Sequence, residues 1–82
     1  MTLYFMNLRD GTDEMLDPEG VEYESLEALR KAVLNAARDI MSGDMRAGVL
    51  DLRFRIDAEN EEGMIVYTLP FKHAVSIIPE MV

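Results

Sequence analysis

The chain alternates short apolar segments with polar turns, and one longer segment carries apolar residues at helical spacing. Residues 3–8, LYFMNL, are aromatic and aliphatic, and an Asp-Gly pair typical of tight turns follows them closely. This pattern predicts a first strand. Met15 and Leu16 predict a weak second strand, after which DPEG at residues 17–20 matches a type I turn.

A helix is predicted from residue 25 onward, where the spacing of apolar residues changes to three and four. Ser25 is a suitable N-cap, and Glu27 and Lys31 are spaced to form an ion pair across one helical turn. We expect the helix to weaken at Gly43 and to end by Gly48. Its predicted apolar face consists of Leu26, Leu29, Val33, Ala36, Ala37 and Ile40.

Two further strands are predicted after the helix, joined by the polar turn AENEEG. DLRFRID at residues 51–57 alternates, which places Arg53, Arg55 and Asp57 together on a solvent-facing side. MIVYTLPF at residues 64–71 is apolar at nearly every position, which favours a strand buried on both faces.

These elements predict an α+β fold of ββαββ topology, a four-stranded mixed sheet with one helix packed on one face. The first and last strands are expected to be buried on both faces, so the predicted strand order is 2-1-4-3. A single helix covers only one face of a sheet. The other face needs a cover, either the tail HAVSII at residues 73–78 or a second copy of the chain, and we expect a homodimer.

The length of 82 residues predicts a single domain, with its core over residues 3–71 and a C-terminal tail over residues 72–82. The chain has no cysteine, which suits a reducing compartment. The N-terminal residues lack the pattern of a secretory signal, and no apolar run approaches about 18 residues. We therefore expect a cytoplasmic protein that does not bind membranes.

The formal net charge of −8 is concentrated near the N-terminus. Residues 1–25 contain seven acidic residues against one basic residue, Arg9, which gives −6. Affinity for nucleic acids depends on neutralising phosphates with Lys and Arg, so this balance argues against binding to DNA, RNA or anionic membranes. A basic protein partner is compatible with it.

The acidic stretch RDGTDEMLDPEG, residues 9–20, is a candidate calcium loop because calcium prefers carboxylate oxygens as ligands. Its spacing does not match an EF-hand, since a loop starting at Asp13 has Met15 at the third position and Pro18 at the sixth. Turn geometry explains its glycines and its proline. His73 is the only histidine, so we expect no metal site, no cofactor and no catalytic residue.

Arg53 and Arg55 are the candidate contact residues of the third predicted strand, about 6.5 to 7 Å apart along it. Such a pair can clamp an anion or an acidic peptide. The favoured alternative is that these arginines pair with cross-strand acids or lie over Tyr67. Asp10 and Asp13, in the acidic stretch, complete the candidate ligand or partner contacts.

Three segments together resemble a known family: YFMNLRDG at residues 4–11, DPEGVEYESLEALRKAVLNAARDI at residues 17–40, and GMIVYTLPF at residues 63–71, of which Gly63 and VYTLPF carry the resemblance. That family consists of small, uncharacterised proteobacterial proteins, common in rhizobia, and is classed as a domain of unknown function. Asn7 stands where the family's first strand carries a histidine, and the hairpin loop after Ile56 is longer here. The resemblance implies a stand-alone bacterial cytoplasmic domain, with no assigned activity, cofactor or catalytic residue.

The sequence favours a non-enzymatic interaction module, a homodimer whose acidic loops meet a basic partner or keep the protein in solution. The alternative is a small-molecule or cation-binding protein with its site at the dimer seam, formed from Arg53, Arg55, Tyr67 or the acidic turns. An enzyme is the least favoured class, because pairings of a nucleophile with a base are scarce.

Overall fold

A computed structural model of the protein describes residues 1–79. Residues 80–82, the end of the predicted tail, lie outside the described residues. The α+β class with a single α-helix is confirmed. The elements are β1 (Thr2–Arg9), β2 (Glu14–Met15), β3 (Val21–Tyr23), α1 (Leu26–Ala47), β4 (Arg55–Glu59), β5 (Ile65–Pro70) and a 3₁₀ helix (Phe71–His73).

All neighbouring strands of the sheet are antiparallel, in the order β2-β1-β4-β5. β3 also pairs with β1. β3 lies on the same side of β1 as β2. The Met6 backbone N–H of β1 points to this side, since it donates a hydrogen bond to the carboxylate of Asp17, which lies between β2 and β3 in the chain. The described residues thus form five strands, and the prediction of four strands in a mixed sheet is wrong.

The predicted strand order 2-1-4-3 is also wrong, because β4 and not β5 lies beside β1. β5 is an edge strand despite its apolar sequence, and its Ile65 and Val66 are exposed. The more polar β4 is central and buries Asp57. This burial is tolerated because Asp57 accepts hydrogen bonds from both neighbouring strands, from Arg9 of β1 and from Thr68 of β5.

The strand predicted over residues 51–57 is shorter than expected and begins at Arg55. The Asp51 carboxylate accepts a hydrogen bond from the Arg53 backbone N–H at 3.0 Å, which favours a turn before the strand. Arg53 therefore does not lie on the same strand as Arg55. The side predicted to face solvent is partly buried, since only 1% of Asp57 is exposed.

α1 begins and ends where the sequence predicts. Ser25 Oγ accepts a hydrogen bond from the Ala28 backbone N–H at 3.1 Å and caps the N-terminus. Gly48 adopts the left-handed conformation at φ 92° and ends the helix, whereas Gly43 does not interrupt it. Within residues 1–79, no helix is both long and apolar enough to cross a membrane.

The core lies between α1 and one face of the sheet. Because side chains alternate along a strand, Tyr4, Met6 and Leu8 of β1 point toward α1, and Asn7 and Arg9 point away from it. The buried apolar residues form one cluster: Tyr4, Leu29, Val33, Ala37, Met41, Ile56, Ala58, Leu69, Phe71 and Ala74.

The segment after β5 packs along α1. Phe71 is fully buried, and Arg38 Nε of the helix donates a hydrogen bond to the Ala74 carbonyl oxygen at 2.9 Å. Val75 packs against the core. The tail therefore does not cover the opposite face of the sheet as the sequence allowed, and that face, termed the open face, has no cover among residues 1–79.

Candidate functional site

The open face carries a connected set of polar side chains. Most come from alternating positions of adjacent strands, so the pairing of the strands places them side by side. In register, Asn7 lies opposite Asp57 and Arg9 lies opposite Arg55. This set is termed the open-face network: Asn7, Arg9, Glu14, Arg55, Asp57, Glu59 and Thr68.

Arg9 connects acidic residues from two strands. Its Nε donates a hydrogen bond to Glu14 at 2.9 Å, and its Nη1 donates to Asp57 at 2.9 Å and to Glu59 at 2.6 Å. The hydrogen bonds with Glu14, Glu59 and Asp57 raise the pKa of the guanidinium. Arg9 is therefore a permanent, partly buried cation that joins β2 to β4 across β1.

Asp57 is the buried centre of the network. Its carboxylate accepts hydrogen bonds from Arg9 at 2.9 Å, from the Thr68 hydroxyl at 2.9 Å and from Arg55 Nε at 3.2 Å. Burial raises the pKa of Asp57, but the hydrogen bonds from Arg9 and Thr68 and the charge of Arg55 outweigh it, so the pKa lies below its ordinary value. Asp57 is accordingly a charged carboxylate at neutral pH.

Asn7 links the network to the turn between β2 and β3. Its Nδ2 donates a hydrogen bond to Glu59 at 2.7 Å, and its Oδ1 accepts one from the Asp17 backbone N–H at 2.9 Å. Hydrogen bonds from Asn7 and Arg9 lower the pKa of Glu59. Asn7 is buried, and its amide holds together β1, β4 and the turn.

The DPEG turn attaches β3 to β1. The Asp17 carboxylate accepts hydrogen bonds from the backbone N–H groups of Met6 at 3.2 Å and Gly20 at 3.1 Å. Gly20 has φ +73°, and a Cβ atom at this position would lie 2.9 Å from the Tyr4 carbonyl oxygen. Side chains rarely adopt this conformation, and none fits here without a shift of β1. Backbone geometry therefore explains Gly20, as the sequence predicts.

Asp10 and Asp13 lie in a second turn, at the end of β1. Asp10 Oδ1 accepts hydrogen bonds from the backbone N–H groups of Asp13 at 2.7 Å and Thr12 at 2.9 Å, and these bonds lower the pKa of Asp10. Asp13 is exposed. Over the described part of the chain, residues 1–79, no group of three or more His, Cys, Asp or Glu side chains is placed to hold a metal ion.

Two predicted contact residues lie away from the open-face network. Arg53, in the turn before β4, forms an exposed ion pair with Asp51 at 2.8 Å, and its hydrogen bonds lower the pKa of Asp51 to about 2. Tyr67 lies on the helix side of β5, where the Arg30 guanidinium is 5.4 Å from its ring centroid. Arg53 and Arg55 therefore have different acidic partners, Asp51 and Asp57, and Arg30 of α1 lies over Tyr67.

Arg55 and Asp13 do come together. With Arg9 and Glu14, they line a shallow depression of about 200 Å³ at one end of the open face. Arg55 contacts Asp57 through Nε and keeps 38% of its side chain exposed. In this depression, residues predicted to contact a ligand adjoin the network.

Sequence reasoning missed the principal members of the network, Arg9, Asp57 and Glu59. The available signal is a polar residue at every second position, which occurs at Asn7 and Arg9 and again in RIDAE of β4. That spacing indicates a shared face within each strand. It does not indicate which strand lies beside which, so the side-chain pairs between β1 and β4 can be identified only from the register of the folded sheet.

A second surface feature is an apolar groove between the C-terminal half of α1 and the segment after the 3₁₀ helix. It has a volume of about 370 Å³. Met45 and Ile77 are largely exposed along it, although both are apolar. The groove is lined by Met41, Met45, Leu50, Val75, Ser76 and Ile77.

The chain matches one family model, and the match covers residues 3–72. It therefore includes α1, the whole open-face network and, apart from Thr2 of β1, the strands described within residues 1–79. The family is described as a domain of unknown function. No curated protein and no solved structure matches the chain. Because the match spans most of its length, the chain belongs to the family Domain of unknown function (DUF6894).

Proposed function

We propose that the protein is a non-enzymatic, homodimeric interaction module of the bacterial cytoplasm. The observation that carries this proposal is the exposure of large apolar side chains outside the core. They occur in a run at Met64, Ile65 and Val66, and again at Met45 and Ile77 beside the apolar groove. Contiguous exposed apolar surface of this kind is typical of contact surfaces between proteins.

The chemistry of the open face supports binding rather than catalysis. A general base is most effective when its pKa lies near the working pH. The pKa values of Asp57 and Glu59 are instead lowered, and both carboxylates are engaged by Arg9. We assign these residues to holding the strands in register.

The exposed acidic residues favour a basic partner. Asp13, Glu19, Glu22 and Glu24 are exposed along or beside the edge formed by β2 and β3. Opposite charge increases the rate of association and selects partners. We therefore propose that a protein carrying a Lys- or Arg-rich patch meets this edge, with an affinity that decreases as salt screens the charges.

Native mass spectrometry and sedimentation velocity on untagged protein test this proposal together. We expect a bare dimer whose fraction increases from low to high micromolar concentration, because dimerisation follows mass action. A protein that stays monomeric over this range contradicts the homodimer. A dimer that retains a stoichiometric extra mass instead favours the ligand-binding alternative.

Binding of a small ligand is the second candidate, and the depression beside Arg9 and Arg55 favours it. The two guanidinium groups belong to residues that face each other across β1 and β4. Planar guanidinium groups bind carboxylates and phosphates in bidentate fashion. Arg9 is engaged by Glu14, Asp57 and Glu59, so the proposed ligand is a small anion held mainly by the exposed part of Arg55.

Thermal unfolding with added phosphate, citrate or calcium chloride tests this second candidate. We expect phosphate or citrate to raise the unfolding temperature, because a ligand that binds only the folded state stabilises it. Arg55→Gln should abolish the increase. Arg53→Gln is the matched control and should retain it, since Arg53 lies outside the depression. Equal responses from both variants reject the site.

A further inference from the structure

The two edges of the sheet differ in construction. One edge is divided between β2 and β3, of 2 and 3 residues, with Pro18 and several acidic residues between or beside them. The other edge is β5, a strand of 6 residues, IVYTLP, that contains no charged residue. Sheets avoid pairing at their edges through short strands, charges and prolines. Of these three features, β5 has only a proline, Pro70, at its last position.

The register shows which backbone groups of β5 are free to pair. Antiparallel residue pairs alternate between hydrogen-bonded and non-hydrogen-bonded. The Phe71 N–H donates to the Phe54 carbonyl oxygen at 2.9 Å, so this pair is hydrogen-bonded, and the next pair, Pro70 with Arg55, is not. Two residues further along β5, Thr68 lies opposite Asp57 and is also in a non-hydrogen-bonded pair.

The backbone N–H and C=O groups of Thr68 therefore point toward the free edge and not toward β4. Pro70 lacks an N–H and its nitrogen also faces the free edge, so the proline removes no hydrogen bond to β4, but a strand added at this edge can bond only to the Pro70 carbonyl oxygen. Apolar Ile65 and Val66 are exposed on the same strand. Among residues 1–79, β5 thus presents backbone groups without a strand partner, together with exposed apolar side chains.

We propose that β5 pairs antiparallel with β5 of a second copy, about a two-fold axis at Thr68, to form one continuous sheet across the dimer. This inference rests on the proposed homodimer and assigns its seam. At the axis, Thr68 exchanges backbone hydrogen bonds with its equivalent in the second copy. A self-complementary patch of this kind is what a two-fold interface requires.

The distribution of charge favours a second copy as the occupant of this edge. The net charge of −8 opposes association of two identical chains. However, the sheet order places β2 and β3, with the acidic residues around them, at the opposite edge from β5. Pairing at β5 therefore keeps the two acidic edges at the outer ends of the combined sheet.

Site-specific cross-linking tests the predicted axis. The chain has no cysteine, so Thr68→Cys introduces a single thiol, and it also replaces the hydroxyl that donates to Asp57, so folding of this variant is checked first. Residues in a hydrogen-bonded antiparallel pair have Cα atoms about 5.5 Å apart, within the range of a disulfide. We expect a covalent dimer on mild oxidation at low micromolar concentration. Ile78→Cys is the control and should not cross-link, although Ile78 is 88% exposed.

A charge placed on the edge provides the second test. Ile65→Lys should raise the dimer dissociation constant at least about tenfold, since lysine on an edge strand opposes pairing. Ile78→Lys adds the same charge away from β5 and should leave the dissociation constant unchanged. Circular dichroism confirms that each variant is folded, and sedimentation velocity measures the association.

The outcomes separate this inference from the proposed function. A monomeric native protein overturns both. If the native protein is a dimer, Ile65→Lys is still a dimer and Thr68→Cys does not cross-link, the β5 seam is overturned. The homodimer itself is then still supported. Cross-linking of Thr68→Cys together with weakened association of Ile65→Lys supports the continuous sheet.

Discussion

Asp57 is the residue on which the open-face network depends. It is the most buried charged residue described, and it has hydrogen-bonding partners on β1, on β5 and on its own strand. A buried carboxylate without such partners is strongly destabilising. The central position of β4 is therefore linked to the presence of Arg9 and Thr68 on the strands beside it.

Asp57→Asn is expected to lower the free energy of unfolding by about 2 to 3 kcal/mol, because it removes the negative charge between Arg9 and Arg55 while retaining the shape of the side chain. Urea unfolding followed by circular dichroism measures the change. Asp51→Asn is the matched control. Its ion pair with Arg53 is exposed, so a much smaller loss is expected. Equal losses in the two variants would contradict a special role for Asp57.

The lowered pKa of Asp57 also predicts how stability changes with pH. Its contribution is fully present above the ordinary aspartate pKa of about 3.9 and is lost as the pH falls through the lower folded-state value. The native protein should therefore lose stability below about pH 4 more steeply than Asp57→Asn. Urea midpoints measured across this range for both proteins test the prediction, and parallel curves would refute it.

At the scale of elements, local signals predicted the helix better than the sheet. Ser25 and Gly48 act through contacts within a few residues of the chain, so their roles in α1 are visible in the sequence. The strand order depends instead on partners far apart. Asn7 and Glu59, which share a hydrogen bond, are 52 residues apart in the chain. The apolar sequence of β5 suggested a central position because nothing local shows that Asp57 has partners on two strands.

The candidate site was only partly predictable, because some of its residues also meet partners that are distant in the sequence. Arg55 and Asp13 were identified as exposed polar residues, and both line the depression. Arg53 was grouped with Arg55 by spacing alone, and the turn formed at Asp51 separates them. Arg9 was missed because its role depends on strands β2 and β4, which meet it only in the folded sheet.

The DPEG turn before β3 holds β3 against β1, and a substitution of Gly20 tests this contact. Gly20→Ala should lower the free energy of unfolding by more than about 1 kcal/mol, because it combines positive φ with a close contact to the Tyr4 carbonyl oxygen. Gly43→Ala is the control. Gly43 lies within α1 with open space around it, so alanine should raise stability by up to about 1 kcal/mol. A stabilising effect at both positions would contradict the close packing of the turn.

At the scale of the whole molecule, charge is distributed unevenly across the sheet. The edge formed by β2 and β3 lies among the acidic residues, whereas β5 is uncharged and the nearest charged residue after it is Lys72, two residues past its end. Two copies joined at β5 still repel each other over the longer distance between their acidic edges. The strength of association should therefore depend on salt.

Raising the salt from about 0.01 M to about 0.1 M shortens the Debye length from about 30 Å to about 10 Å, so the repulsion between the acidic edges is screened and the dimer dissociation constant should fall. Sedimentation velocity at the two salt concentrations measures it. A variant carrying Glu22→Gln and Glu24→Gln should show a weaker salt dependence, because both residues are exposed acids. A dissociation constant that increases with salt would indicate instead that opposite charges meet at the seam.

β1 and β4 are neighbours in the sheet but lie far apart in the sequence, and this affects the order in which a nascent chain folds. β1 can pair with β2 and β3 once Tyr23 has been synthesised, but Arg9 can be joined to Asp57 only when Asp57, 48 residues after Arg9, has been added. Contacts between distant residues form slowly because closing a long loop costs entropy. During translation, the hydrogen bonds of Asn7 and Arg9 to β4 therefore form only after β4 emerges from the ribosome, and closure of the sheet is a late step that depends on the C-terminal third of the chain.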